Sequence, residues 1–199
     1  GCSMALLAYV AWPTWERGRA RAALAVMLDA YAGYLRALAQ PGQTVAHRDT
    51  RTAARTARTN AQASIDRMRT EPATPPELLA LARALFANGN RLARTAMNLE
   101  ATLDDIATLP AQDQISRFIR HAADALQTIA GDLRAQRTAT ASPDLRARQR
   151  ELIGLTRDAE NPATAELLVR ICDRLVDNID TLAYVMNRSH PGTPETTDP

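Results

Sequence analysis

The sequence predicts an all-α fold, an antiparallel helical bundle of about six helices, from three observations. About a fifth of the 199 residues are alanine and only 4% are aromatic, so the composition fits helices that approach closely through small faces. Prolines at positions 41, 72, 75, 76, 110, 143 and 162 cut the chain into helix-length segments. Apolar residues recur within those segments at spacings of three and four, and no segment alternates with period two.

The six segments are 13–40, 43–71, 75–109, 111–137, 143–158 and 162–188. The first ends at Pro41-Gly42. In the second the stripe is mostly small: Ala54, Ala57, Ala61, Ile65 and Met68. The third opens on Thr74-Pro75-Pro76-Glu77, which places Thr74 as N-cap, Pro at the first helical position and Glu at the third. Its stripe is Leu78, Ala82, Leu85, Phe86, Leu92, Ala96, Leu99, Leu103 and Ile106. The fourth carries Ile115, Phe118, Ile119, Ala122, Leu126, Ile129 and Leu133. The fifth and sixth begin with a cap-then-proline order, Ser142-Pro143-Asp144 and Asn161-Pro162. The sixth stripe is the clearest, running Leu168, Ile171, Cys172, Leu175, Ile179, Leu182, Met186. The length fits one domain. It is expected over 14–188, followed by a polar, proline-bearing disordered tail at 189–199.

Residues 1–13 read differently. Residues 4–12 are an unbroken apolar run, with Tyr9, Trp12 and Trp15 at its end and Arg17, Arg19 and Arg21 beyond. Aromatics suit the headgroup layer and arginines the cytoplasmic side. Only fifteen residues precede the first charge, short of the ~20 apolar residues a spanning helix needs. The expectation is the end of a truncated transmembrane helix over 1–13, with Trp12, Trp15, Arg17, Arg19 and Arg21 at the membrane interface. A secretory signal peptide would carry its charges before the run and small residues after it, and neither holds here.

Charge is unevenly spread. All 24 basic residues are Arg, and net charge is +2. Residues 14–70 hold ten Arg against four acids, and 71–199 fourteen Arg against eighteen, so the basic half adjoins the apolar run. Arg48, Arg51, Arg55 and Arg58 form a stripe on the second helix, either a solvated face or the candidate contact to acids of this domain or of a neighbouring subunit, with anionic lipid as another partner of such charge. Nucleic acid is the poorest partner for them, because few aromatics are present to stack on bases. Asp173, Asp177 and Asp180 form an acidic stripe, with Arg170 and Arg174 spaced to neutralise it. His121 and Asp124 are spaced for a surface salt bridge, and Asn60, Asn90 and Asn98 for hydrogen bonds between helices. Cys2 and Cys172 make neither a disulfide framework nor a metal site. No motif for metal ligation, phosphate cradling or nucleophilic catalysis occurs, so no enzyme activity, cofactor or metal is expected.

Three stretches resemble the FUSC family of bacterial inner-membrane proteins, which includes fusaric-acid-resistance proteins, aromatic-acid exporters and YccS-like proteins. They are residues 5–16 (ALLAYVAWPTWE), 51–72 (RTAARTARTNAQASIDRMRTEP) and 90–100 (NRLARTAMNLE). The first looks like the place where a membrane bundle of such proteins ends and the chain reaches the cytoplasm. The resemblance covers roughly the first hundred residues. It implies the C-terminal cytoplasmic domain of an efflux transporter in the inner membrane, anchored through its N-terminal segment. Its implied role is structural: self-association as a homo-oligomer, or coupling to a partner. The rival expectation is a soluble helical adaptor with no transport role.

Overall fold

Helix starts and stops follow the prolines. The computed structural model describes residues 13–40, 42, 44–71, 74–104, 112–140, 143–155 and 162–188. Its elements are α1 (Pro13–Leu38), α2 (Thr44–Thr70), α3 (Pro76–Asp104), α4 (Gln112–Ala135), α5 (Pro143–Leu155) and α6 (Pro162–Arg188). They form an all-α, antiparallel helical bundle. Residues 1–12, the caps Ser142 and Asn161, Ile106 and the tail 189–199 lie outside the described residues. Among the described residues no helix is long and apolar enough to cross a membrane.

The stripes read from the sequence form the core. Ala54, Ala57, Ala61, Ile65 and Met68 of α2 are buried, as are all seven stripe residues of α4 and all seven of α6. Leu175 is fully covered, and beside it the Cys172 thiol is pushed up to about 12 by burial and by the neighbouring Asp173. That thiol stays protonated and inert. α1 has no single stripe. From Ala20 to Leu38 it buries residues around most of its circumference, among them Leu24, Met27, Leu28, Tyr31, Tyr34 and Leu35. A helix apolar on every side belongs in the centre. α2, α3 and α4 all pack on it.

Side-chain pairs give the directions. Arg36 meets Asp124 while Asp29 meets Arg134, so α1 and α4 run antiparallel. Met27 lies at Gly89 and Tyr34 at Glu100, so α1 and α3 run parallel. Asn187 is bonded to the Ala139 amide and Arg146 to Asp177, so α5 runs antiparallel to α6. Short links suggest that each helix packs on its chain neighbour. Here α3 packs chiefly on α6, and α4 chiefly on α1. α1 takes both α2 and α4, which make no contact with each other among the described residues, and the chief partner of α3 is α6.

Several local expectations are corrected. Thr74 does not cap α3: its hydroxyl donates back to the Met68 carbonyl at 2.8 Å, closing the end of α2. The Pro75 carbonyl instead accepts from Leu78 and Leu79, so the cap position falls on a proline. Arg170 and Arg174 do not neutralise the acidic stripe. Arg170 pairs with Glu166, while Arg146 of α5 reaches Asp173 (2.9 Å), Asp177 (2.6 Å) and Asp180 (2.9 Å). A planar guanidinium with five donors can serve three carboxylates that a helix aligns on one face. Asp124 pairs with Arg36 rather than His121. Asn60 and Asn98 are exposed, and the Asn90 carbonyl oxygen is buried without a partner. The polar bond across α3 and α6 comes from Asn178, which donates to the Thr95 hydroxyl at 3.0 Å.

Two turns use special backbone. Gly42 follows α1 with φ +80, a conformation that favours glycine, as Pro41-Gly42 predicts. Gln136 ends α4 with φ 56, and the amides of Gln136 and Arg137 return to the carbonyls of Leu133 and Asp132. This is the paired-bond ending of a left-handed C-terminal residue. Asp132 secures it, accepting from the Thr140 amide and hydroxyl (2.9 Å each) and from Arg137 (2.8 Å). Burial acts to raise the Asp132 pKa, but these donors outweigh it and hold the carboxyl below its ordinary value.

Two outcomes follow from this packing. Leu175→Ala should cost about 2–5 kcal/mol in denaturant melts, as other large-to-small core changes do; a change below about 0.5 kcal/mol would mean that its face is not core. Asp132 contributes stability that is present above its unfolded pKa of about 3.9 and is lost as pH falls through its lower folded value. Asp132→Ala should therefore cost about 2–4 kcal/mol at pH 7, with part of the difference from the parent chain disappearing below about pH 4. Chemical melts of both proteins across that range measure it.

Candidate functional site

The arginine stripe of α2 borders a cavity of about 510 Å³, bounded by α1, α2 and α3. α2 and α3 both pack on α1 but touch each other little, which leaves a gap between them. Alanine widens it: Ala54 and Ala93 stand where longer side chains would fill the space. Tyr31 and Tyr34 supply the base, Arg51, Arg55 and Arg58 one wall, and Met97 the other.

Close packing beneath the base sets the tyrosines. A Cβ added to Gly89 of α3 would lie 2.6 Å from the Met27 Cε and 3.5 Å from a Tyr31 ring carbon. The glycine therefore admits the Met27 side chain under Tyr31. The Tyr34 hydroxyl donates to Glu100 Oε2 at 2.5 Å, and Arg51 Nη1 reaches the same oxygen at 3.2 Å. Burial raises the Tyr34 pKa, and the hydrogen bond to Glu100 raises it further. The phenol is thus a neutral donor at any physiological pH. Glu100 is mostly covered, so this tyrosine–glutamate–arginine group ties together all three walls.

The rest of the site is not satisfied internally. Arg55 and Arg58 are exposed and face no carboxylate among the described residues. Tyr31 is only 2% exposed, yet its hydroxyl has no hydrogen-bond partner among the described residues. Burial pushes its pKa up to about 12, against the pull of the Arg58 charge. Besides the Tyr34–Glu100–Arg51 group, the site therefore leaves one neutral donor and two cations unpaired, among the described residues, on a mainly apolar surface.

Of the four stripe residues, Arg51 makes the contact within the domain, Arg55 and Arg58 line the cleft, and Arg48 is exposed outside it. The interface residues separate. Trp12 lies outside the described residues, and Trp15 and Arg17 fall in the first turns of α1 with side chains that are not described. Arg19 is exposed. Arg21 is half-buried beside Leu24, Met68 and Leu78, and burial lowers its pKa. His121 lines a smaller polar cavity of about 170 Å³ with Arg117, Arg148 and Glu151. Among the described residues no cluster of His, Cys, Asp or Glu is placed to hold a metal. Sequence reasoning did not single out Tyr31, Tyr34 or Glu100. The available signal was the Tyr pair at i, i+3 in a stretch of α1 where Asp29 is the only charge between Arg21 and Arg36.

Compared with protein-family models, with curated proteins and with solved structures, the chain matches none.

Glu100→Ala should leave the buried Tyr34 hydroxyl and Arg51 without their acceptor. The expected loss is about 1–3 kcal/mol in chemical melts, with Tyr34→Phe restoring part of it in the double variant.

Proposed function

We propose that this chain is the C-terminal cytoplasmic helical domain of a FUSC-like efflux transporter of the bacterial inner membrane. Its role in that protein is structural: self-association or coupling to a partner, without catalysis of its own. One observation carries the reading. The apolar run at 4–12 leads directly into α1 at Pro13, and α1 is the helix on which α2, α3 and α4 all pack. A membrane helix continuing into the central helix of a domain would couple the two mechanically. The three arginines in the first turns of α1 and the resemblance of residues 5–16, 51–72 and 90–100 support the same reading.

Helix length separates the two basic regions. α1 has 26 residues, about 39 Å at 1.5 Å each. On this reading the Arg48–Arg58 stripe begins past the distal turn, well beyond a Debye length of about 8 Å from lipid. Replacing Arg17, Arg19 and Arg21 with Gln should weaken binding to anionic liposomes, and replacing Arg51 and Arg55 should leave it unchanged while altering stability or self-association. The reverse pattern in a flotation assay would discard this orientation. Recovery of the chain in the soluble cell fraction with residues 4–12 intact would favour the adaptor instead.

A further inference from the structure

We propose that the cleft between α1, α2 and α3 is a binding site for an amphiphilic oxyanion: a small molecule with one sulfonate, phosphate or carboxylate head on an apolar body. The inference goes beyond the membrane reading and does not depend on it.

Two independent observations point to a ligand. The first is charge. Arg51 is countered by Glu100, but Arg55 and Arg58, one turn apart on α2, both line the cleft and face no carboxylate among the described residues. Two guanidinium groups at that spacing can hold one oxyanion between them with charge-assisted hydrogen bonds. The second is Tyr31. Its side chain lies at the base of the cleft and is 2% exposed, and its hydroxyl lacks a partner among the described residues. A buried hydroxyl left unsatisfied costs free energy, so a small turn of the ring that brings it to an acceptor in the cleft would be favoured. Tyr31 keeps its proton at neutral pH, so it offers a donor and not a repelling charge.

The rest of the lining selects the body of the ligand. Ala54 and Ala93 present methyl groups, and Met97 is 44% exposed with a thioether that adapts to varied apolar shapes. A volume of about 510 Å³ is within the range of small-molecule sites. An inorganic anion would use the arginines and leave the apolar wall wet. A neutral amphiphile would cover the wall and leave the cations and Tyr31 unmet. A molecule with both parts satisfies the whole surface.

The test is isothermal titration of the full 199-residue chain with 1-octanesulfonate, octane-1-sulfonamide and methanesulfonate. The first carries head and body, the second the body with a neutral head, the third the head alone. Octanesulfonate should bind one to one, with a Kd in about the millimolar range or tighter, and at least about tenfold more tightly than either control. Arg55→Gln with Arg58→Gln should weaken it at least about tenfold, and Tyr31→Phe about threefold. Both arginines are exposed, so the double variant should keep the parent melting temperature. Octyl phosphate and octanoate, titrated alongside, distinguish a tetrahedral head from a planar one. Equal affinity for the sulfonamide, unchanged affinity in the double variant, or no saturable heat with octanesulfonate would each overturn the proposal.

Discussion

The bundle depends on burying α1 on nearly every side. A helix with so little polar surface must be enclosed, and enclosing a cylinder about 10 Å wide takes at least three neighbours. α2 and α4 flank it antiparallel and α3 lies along it parallel. Past Arg21 it carries two charges, and both are met by α4: Asp29 by Arg134, and Arg36 by Asp124 and Gln127. Tyr31 and Tyr34 are carried inward by the same burial. The cleft is a by-product of this enclosure, since α2 and α3 are set by their contacts with α1 more than by contact with each other.

Arginine does the polar work throughout, and its value differs from place to place. The Arg146 group on three aspartates is mostly solvent-facing, so it fixes the angle between α5 and α6 more than it adds stability. The Asp132 group is different. Its carboxylate is buried and takes three hydrogen bonds at the end of α4, so losing it would strand polar groups where water cannot reach them. Arg51 stands between these cases, half-exposed itself but bound to a covered Glu100. Among the described residues, only the arginines on the cleft wall and on outward faces remain for contacts beyond the chain.

The core was legible in the sequence wherever one helix face was apolar and the other polar. The α2, α4 and α6 stripes are buried as the spacing predicts, because period and burial are the same fact seen twice. α1 carried no such contrast, so spacing gave it no core face, and its central place follows from the three helices that pack on it. Pairings across the chain were illegible for a different reason. Arg170 sits one turn from Asp173, yet Arg146, on another helix, takes the acids. Thr74 has the spacing of a cap, but the nearer open carbonyl of Met68 claims its hydroxyl. Local spacing shows which bonds are available, and tertiary packing decides among them. The arginines of the site were visible as a stripe, whereas Tyr31 and Glu100 became meaningful only once α1 and α3 were laid parallel.

The pairing of α3 with α6 has a consequence for synthesis on the ribosome. α1, α2 and α4 can associate as they emerge, but the chief partner of α3 is encoded far downstream. Between Asp104 and Pro162 lie about sixty residues, or about 3–12 s of translation at ordinary bacterial and eukaryotic speeds. During that interval the face of α3 bearing Thr95, the partner of Asn178, waits uncovered. The nascent domain therefore passes through a stage in which half its layers are assembled and one apolar helix is offered to chaperones, or to the same helix on a neighbouring chain. Vectorial folding is thus most vulnerable just before α6 emerges, and a premature stop ahead of α6 would leave that vulnerability permanent.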